Sequence, residues 1–479
     1  MANPKVKAGT NVLSVASECA PLVKTGGLAD VVGALPAAVA EHGVHMRTLL
    51  PGYPEVMEKL GKTTIAIKLK SLMGGPAKVL ATNHAGLDLL ILDAPHLFDR
   101  AGNIYLGPDG NDWLDNPERF AALCQVAAKI GEGAIKTWQP DVIHAHDWQA
   151  GLIPEYLGTT RPGTLLTIHN IAFHGLADVG KLQKLGLKKA RFGRDGFEFW
   201  GNISALKAGL VGADRLTTVS PTYASELMTQ HFGMGLDGVI RDRRGDLSGI
   251  LNGIDEAVWN PETDPLVANY TTAKGKAAAK KALQTEFGLP ASDGLLCIVI
   301  SRLTGQKGLD LLLDCLPHLT DNGGQLALLG SGDPGLEDGF RSAAHHPNVA
   351  VKIGYDEALS HRMMAGGDAI LVPSRFEPCG LTQLYGLKYG TIPLVALTGG
   401  LADTVINASP AALATGVATG IQFHPITHDS LITALNRLIT LYNQPKTWAV
   451  MQKNAMKQPV GWAPSAAAYA ALYKDVTPP

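Results

Sequence analysis

The chain predicts an α/β protein made of two doubly wound halves. Short apolar runs alternate with helical patterns from end to end, and continuous apolar strands between helices mark a parallel sheet covered on both faces. The alternation pauses at Trp259–Asp293 and then restarts. The hexapeptide TGGLAD occurs twice, at Thr25–Asp30 and Thr398–Asp403, each time a few residues after a strand and at the opening of a helix.

In the first half, Asn11–Ser17 (NVLSVAS) reads as a buried strand, Gly27–Glu41 as a helix and Arg47–Leu50 as the next strand. Leu87–Leu92, Val142–His146, Leu165–His169, Leu216–Ser220 and Leu247–Leu251 continue the strands. Trp259–Asp293 carries Pro261, Pro265, a Lys/Ala-rich helix and PASDG, and reads as the connection between the halves. Beyond it, strands are expected at Leu295–Ile300, Gln325–Leu329, Val349–Ile353, Ala369–Val372 and Ile392–Ala396. Helices are expected at Gly308–Leu319, Glu357–Ala365, Gly380–Tyr389, Gly399–Ile406, His428–Leu441 and beyond Pro464. The domains are therefore read as 1–256 and 257–457, with a helical tail over 458–479 packing back on the first domain. Ligands of doubly wound sheets bind at the carboxyl ends of strands where strand order reverses. Two such domains are expected to face a central cleft that closes by a hinge.

Composition excludes several functions. Lys+Arg number 41 against 43 Asp+Glu, a net charge of -2, so neither nucleic acid nor an anionic membrane surface is an expected partner. No apolar run approaches the roughly 18 residues that span a bilayer. The opening MANPKVKAGT has no signal-peptide core, and the five scattered cysteines, with no metal-binding spacing, suit reduced thiols and a cytoplasmic location.

Several motifs carry chemistry. Ser301–Gly308 (SRLTGQKG) follows a strand and opens a helix. Arg302 and Lys307 there oppose the helix dipole unless an anion is bound, so a diphosphate site and a solvated loop both stand on this octet alone. In Arg375–Thr382 (RFEPCGLT), Pro378 keeps Glu377 extended. Glu377 suits sugar hydroxyls, and a plain capping turn suits the segment equally. Lys24 adds a cation before the first Gly-Gly pair, whose glycines let backbone N–H groups face an anion; the repeat reads as one solution used in both halves. His144-Ala-His146-Asp147-Trp148 and His169-Asn170 read as polar strand ends, without a third ligand for a metal. Gly330–Gly335 spells GxGxxG with Asp356 about 20 residues on, a dinucleotide candidate weakened by Pro334 and read as a strand-to-helix turn. Gly61-Lys62-Thr63 lacks the leading glycine of a P-loop, since position 56 is Val56.

Taken together, KTGGLADVVGALP, PGYP, HAHDWQAG, TIHN, FGMGLDGV, ILNGID, SRLTGQKG, GSGDP, PSRFEPCGLTQLYGLKYG and TGGLADTV, in this order from Lys24 to Val405, resemble the bacterial glycogen synthases of glycosyltransferase family 5, relatives of plant starch synthases. The resemblance implies a GT-B fold and metal-free, retaining transfer of glucose from ADP-glucose to the non-reducing 4-hydroxyl of glycogen or a malto-oligosaccharide. It implies donor-phosphate contacts from Lys24 and Gly27, and steadying of the departing ADP by Arg302 and Lys307. Glu377 would hold the donor glucose, His169 would sit beside the anomeric centre, and Asp147 and Asn252 would lie near the transferred sugar. Cys379, Gly380, Leu381 and Thr382 would be donor contacts at a helix start, and Tyr355 would pack on adenine. With Glu377 the only prominent carboxylate, same-face transfer is expected and not the double displacement of a retaining hydrolase. Gly305 stands where many relatives carry a side chain. Three other readings are a UDP-glucose donor or a different glucan product, a non-catalytic binding homologue, and a dinucleotide-dependent dehydrogenase; the last leaves SRLTGQKG and FEPCGLT unexplained.

Overall fold

The structure, a computed structural model, describes residues 9–159 and 161–478; the opening segment read from the sequence, residues 1–8, lies outside them. The chain divides into two compact units. The first holds residues up to Val219, Ala224–Leu251 and Trp462 onward; the second holds Ser220–Tyr223 and Asn252–Gly461.

The strands of the first unit are β1 (Thr10–Val15), β2 (Val44–Pro51), β3 (Thr64–Leu72), β4 (Gly75–His84), β5 (Leu87–Asp93), β6 (Val142–His146), β7 (Gly163–Ile168), β8 (Leu176–Asp178), β9 (Glu198–Phe199), β10 (Asn202–Ser204), β11 (Arg215–Thr218) and β12 (Leu247–Gly249). Nine form one sheet in the order β12-β11-β7-β6-β1-β2-β5-β4-β3. The run from β12 to β5 is parallel, and β3, β4 and β5 pair antiparallel. The sheet is thus mixed, where the sequence predicts an all-parallel one. The parallel strands are apolar and buried, like VIHAH in β6. The edge strand β3 (TIAIKLKSL) alternates and is largely exposed, as an antiparallel edge with one wet face should be. In the helix Gly27–Ala40, Leu28, Val31, Val32, Leu35 and Val39 form one buried stripe. The terminal helix Ala463–Val476 sends Ala466, Tyr469, Ala470 and Tyr473 into the same core cluster.

The second unit holds β13 (Leu296–Ile300), β14 (Gln325–Gly330), β15 (Val349–Ile353), β16 (Ala369–Val372), β17 (Ile392–Ala396) and β18 (Ile421–Phe423), all parallel, in the order β15-β14-β13-β16-β17-β18.

Two readings need correction. The chain passes between units at Leu251/Asn252 and Gly461/Trp462, not at 256/257 and 457/458, and Ser220–Tyr223 also belong to the second unit. Ile254 bridges Gly461 there, which fixes both ends of the second unit before any change of composition shows. Nor is Trp259–Asp293 a mere connection. Trp259 is stacked between His361 (3.7 Å) and Tyr385 (3.8 Å). Buried Asp264 accepts from the Tyr389 hydroxyl and lies 2.7 Å from His361 Nδ1. Lys276 Nζ donates to the carbonyls of Met364, Ala365 and Tyr389. The prolines and Lys/Ala bias mark a segment that wraps the second unit's core.

Candidate active site

Each sheet has one point where strand order reverses. In the first unit, β2 lies on one side of β1 and β6 on the other. In the second, β14 lies on one side of β13 and β16 on the other. Loops leaving the carboxyl ends at such a point splay apart and leave a crevice. Lys24, Gly27 and Asp147 lie on loops at the first of these points and Arg302, Lys307, Glu377 and Cys379 to Thr382 at the second, whereas His169 follows β7 and Asn252 and Tyr355 follow the edge strands β12 and β15.

In the second unit, the loop after β13 carries Arg302 and Lys307, and the loop after β16 carries Glu377 to Leu381. Lys307 Nζ donates to Glu377 Oε2 at 2.5 Å, and Ser374 Oγ donates to the same oxygen at 2.8 Å. The carboxylate is therefore no helix cap; it is a buried anion with two donors. The two loops also bind each other. Arg375 N donates to Gln306 O, and Gln306 Nε2 to Phe376 O. Arg375 forks onto Asp310, both bonds 2.6 Å, and donates to Gly305 O. Gly308 has φ +65, and a Cβ there would lie 2.0 Å from Pro373 O, so only glycine lets the loops approach this closely. Arg302 is exposed and its guanidinium has no partner among the described residues.

The helix Thr382–Tyr389 opens behind Gly380 and Leu381 without a side-chain cap. Cys379 is buried, and burial pushes its thiol up to about 12, so it is an inert contact. Asn252 hydrogen-bonds Cys379, while its own buried Oδ1 has no partner among the described residues. Tyr355 follows β15 and is 74% exposed; its hydroxyl donates to Glu357.

In the first unit, Lys24 Nζ pairs with Asp30 (2.8 Å) at the solvent surface, and Gly27 begins the helix. The N–H groups of Thr25 and Gly26 do not stand free. Both donate to Glu18 Oε2, at 2.5 and 3.2 Å, and Thr25 Oγ1 and Tyr105 OH donate to Oε1, each at 2.7 Å. Buried Glu18 thus braces the loop. The sequence gives it no signal: it stands seven residues before Thr25 in an irregular stretch.

Asp147 follows β6 with φ +54, a strained conformation for a non-glycine residue. Its Oδ1 accepts from the N–H of His169 (2.6 Å) and of Asn170 (3.3 Å), so it holds the end of β7 in place. Burial raises this carboxyl to about 7 against the pull of those donors. His144 and His146 share one face of β6, with rings 4.0 Å apart. His146 Nδ1 lies 3.0 Å from His169 Nε2, and Ser14 Oγ lies 3.1 Å from His146 Nε2. His144 lies between Tyr473 OH (2.8 Å) and Thr167 Oγ1 (2.6 Å). Burial lowers His144 and His169 to about 3 and His146 well below its ordinary value, so all three rings are neutral at pH 7. His144 is a core residue, not the polar strand end read from the sequence.

The two TGGLAD copies are not one solution used twice. In the second, Gly400 N donates to the carbonyls of Glu377 and Pro378, and Asp403 accepts from Thr222 N and Oγ1. Gly399, at φ +44, would place a Cβ 1.9 Å from Glu377 O. That copy seats the Glu377 loop. The GxGxxG segment is a capping turn. Asp333 accepts from Gly335 N and Leu336 N, and Glu337 from Gly332 N. Asp356, the ribose-acid candidate, caps the helix Glu357–Gly366.

Two doubly wound α/β units with charged loops at their reversal points define a class, and family models specify it. Residues 11–242 match the starch synthase catalytic domain and residues 283–458 match glycosyl transferases group 1. The fold is that of a two-domain, GT-B-like α/β glycosyltransferase. The chain is 63% identical to a glycogen synthase of Paracoccus denitrificans (strain Pd 1222), over 97% of this chain and 99% of that one. It is 64% identical to a glycogen synthase of Jannaschia sp. (strain CCS1), again over 97% and 99%. Among solved structures, the catalytic domain of starch synthase IV from Arabidopsis thaliana, bound to ADP and acarbose, matches 98% of this chain and 99% of its own at TM-score 0.88 and 30% identity. Sucrose-phosphate synthase from Thermosynechococcus elongatus shares the fold at TM-score 0.61 and 18% identity. The chain belongs to the glycogen synthase family of glycosyltransferases.

Proposed function

We propose that this glycosyltransferase moves glucose from ADP-glucose, with retention, to the non-reducing 4-hydroxyl of an α-1,4-glucan and so elongates glycogen. The observation that carries the reading is the Lys307–Glu377 pair, a half-buried lysine on a buried carboxylate, at the second unit's reversal point. It is supported by the starch synthase relative, a complex with ADP and acarbose. As the bond from C1 to the diphosphate oxygen breaks, its electron pair goes to ADP. Arg302 and Lys307 stabilise that charge without a metal, and Glu377 accepts from the glucose hydroxyls. The acceptor O4 bonds to C1 on the face that ADP leaves, and its proton passes to the departing diphosphate. The helix start at Gly380, Leu381 and Thr382, beside Cys379, receives the donor, and Tyr355 packs on adenine. The first unit supplies Lys24 and Gly27 for the phosphates and His169 beside C1. Asp147, by holding His169, and Asn252 shape the site of the transferred sugar. The enzyme acts in the cytoplasm.

The test is glucose incorporation into a glycogen primer from ADP-glucose and UDP-glucose side by side. Strong preference for ADP-glucose is expected, and Lys307→Ala and Glu377→Ala should each lose at least about tenfold in turnover, roughly 1.4 kcal/mol. Preference for UDP-glucose would change the donor, and no incorporation from either with ADP still bound would make the chain a binding-only homologue.

A further inference from the structure

Two tight turns of the first unit hold side chains that their backbone disfavours. β9 and β10 pair with Phe199 opposite Asn202, so Trp200-Gly201 is a two-residue hairpin loop. Its φ values are +49 and +82, the signature of a type I′ turn, whose first position favours Asn, Asp or Gly. In the FGMGLDGV motif, Leu236 N donates to Gly233 O, and Met234 and Gly235 stand at φ +50 and +82. This is a second turn of the same kind, with methionine where asparagine would be easier.

The turns touch. A Cβ at Gly235 would lie 3.1 Å from Phe199 Cζ and 3.6 Å from Trp200 Nε1. The indole therefore lies against the second turn at Gly235, yet it is 82% exposed, and Met234, the turn's other central residue, is 45% exposed. Phe199 backs the hairpin and meets His174 edge-on at 4.7 Å. His174 belongs to the loop that follows His169, and its carbonyl accepts from Ser204 Oγ and Leu206 N. The tip is thus tied to a candidate site loop. Its rim carries the Glu198 carboxylate, which accepts from Gly201 N, and the Asn202 amide.

We propose that Trp200, with Met234 of the adjoining turn, is a platform on which a glucose unit of the α-glucan acceptor stacks. The proposal rests on the glucan acceptor of the reading above and adds a binding site to it. One flat apolar face with hydrogen-bonding groups at its edge matches the C–H face of a pyranose and its equatorial hydroxyls. A protein partner fits poorly. An aromatic side chain offers roughly 150–250 Å², against about 800 Å² per partner in a specific interface.

Trp200→Asn puts a residue suited to the turn in place of the ring, so its unfolding midpoint should equal or exceed the native one. Met234→Asn does the same in the second turn. Mobility in gels containing glycogen and KM values for glycogen and ADP-glucose would be measured. Trp200→Asn should weaken gel retardation and raise the KM for glycogen about tenfold, leaving the KM for ADP-glucose within about twofold; Met234→Asn should shift glycogen in the same direction. Retardation and KM for glycogen unchanged in Trp200→Asn would overturn the platform, as would a wild-type protein not retarded at all. A wild-type dimer in light scattering that Trp200→Asn dissolves would also overturn it, in favour of self-association. Gel retardation needs no transfer, so a wild type that incorporates no glucose would sink the proposed reaction while the gel still decides the platform.

Discussion

His144 shows at the scale of one residue how a core position becomes a pH-sensitive one. It lies fully buried on β6, and its two ring nitrogens already have hydroxyl partners in Tyr473 and Thr167. Burial holds it neutral, down to about 3 from an ordinary 6.5. The unfolded chain takes up that proton below pH 6.5 and the folded chain does not, so stability is full above 6.5 and falls as the pH drops toward 3. The slope is about 1.4 kcal/mol per pH unit for one such group. His146 and His169 act in the same sense, whereas Asp147, raised to about 7, takes up a proton in the folded state and offsets one of them. Urea unfolding at about pH 7.5 and about pH 5.5 should show a net loss in acid. His144→Gln, which keeps hydrogen-bonding groups but no titration, should lose about 1.4 kcal/mol less across that interval. Equal losses in the two proteins would mean that His144 is not held neutral.

At the scale of elements, the loops after β13 and β16 act as one piece because Arg375 joins them. Arg375 and Asp310 are 40% and 46% exposed, so their pair adds only about 0–1 kcal/mol to stability. Its larger effect is positional, since Gly305 gives its loop no side chain of its own and the Arg375 fork fixes the carbonyl there. Arg375→Gln should shift the unfolding midpoint by no more than about 4 °C and raise the KM for ADP-glucose about fivefold to tenfold, about 1–1.4 kcal/mol of lost positioning. Arg375→Lys should recover only part, because an ammonium cannot fork onto both oxygens of Asp310. A full recovery by lysine, or a KM that does not move, would refute the clamp. The elements that carry these loops were legible as apolar runs, and Arg302, Lys307 and Glu377 as charges at strand ends. The Arg375 clamp was not legible, nor was the bracing of Thr25 and Gly26 by Glu18, because such bonds join segments with no shared periodicity. Gly-rich words misled where a local carboxylate or carbonyl already satisfies the backbone, as in GSGDPG and the second TGGLAD. The β3–β4 hairpin is not legible as an apolar run because its strands alternate, as an antiparallel edge with one wet face does.

At the scale of the whole molecule, the order of the chain leaves the first unit incomplete until the last residues are made. The chain leaves that unit at Leu251, builds the second unit through Gly461, and returns with Trp462. The returning helix is structural: Trp462, Ala466, Tyr469, Ala470 and Tyr473 pack with Val12, Val31, Leu35 and Val142. Loss of a buried aromatic side chain costs about 3–5 kcal/mol, and three leave together if the chain stops at Gly461. Their sum reaches the about 5–15 kcal/mol that holds a domain folded. His144 would also lose its Tyr473 partner. The second unit has a separate core, from Ile254 to Val460, with no described residue beyond Val460 in it. A chain ending at Gly461 should therefore keep slow hydrogen exchange at Cys297–Val299 and Leu326–Leu328 and lose it at Leu13, Ile143 and Leu166. Native protection in those first-unit strands would show that the terminal helix is dispensable. Loss of protection in both units would show that the second core depends on the first.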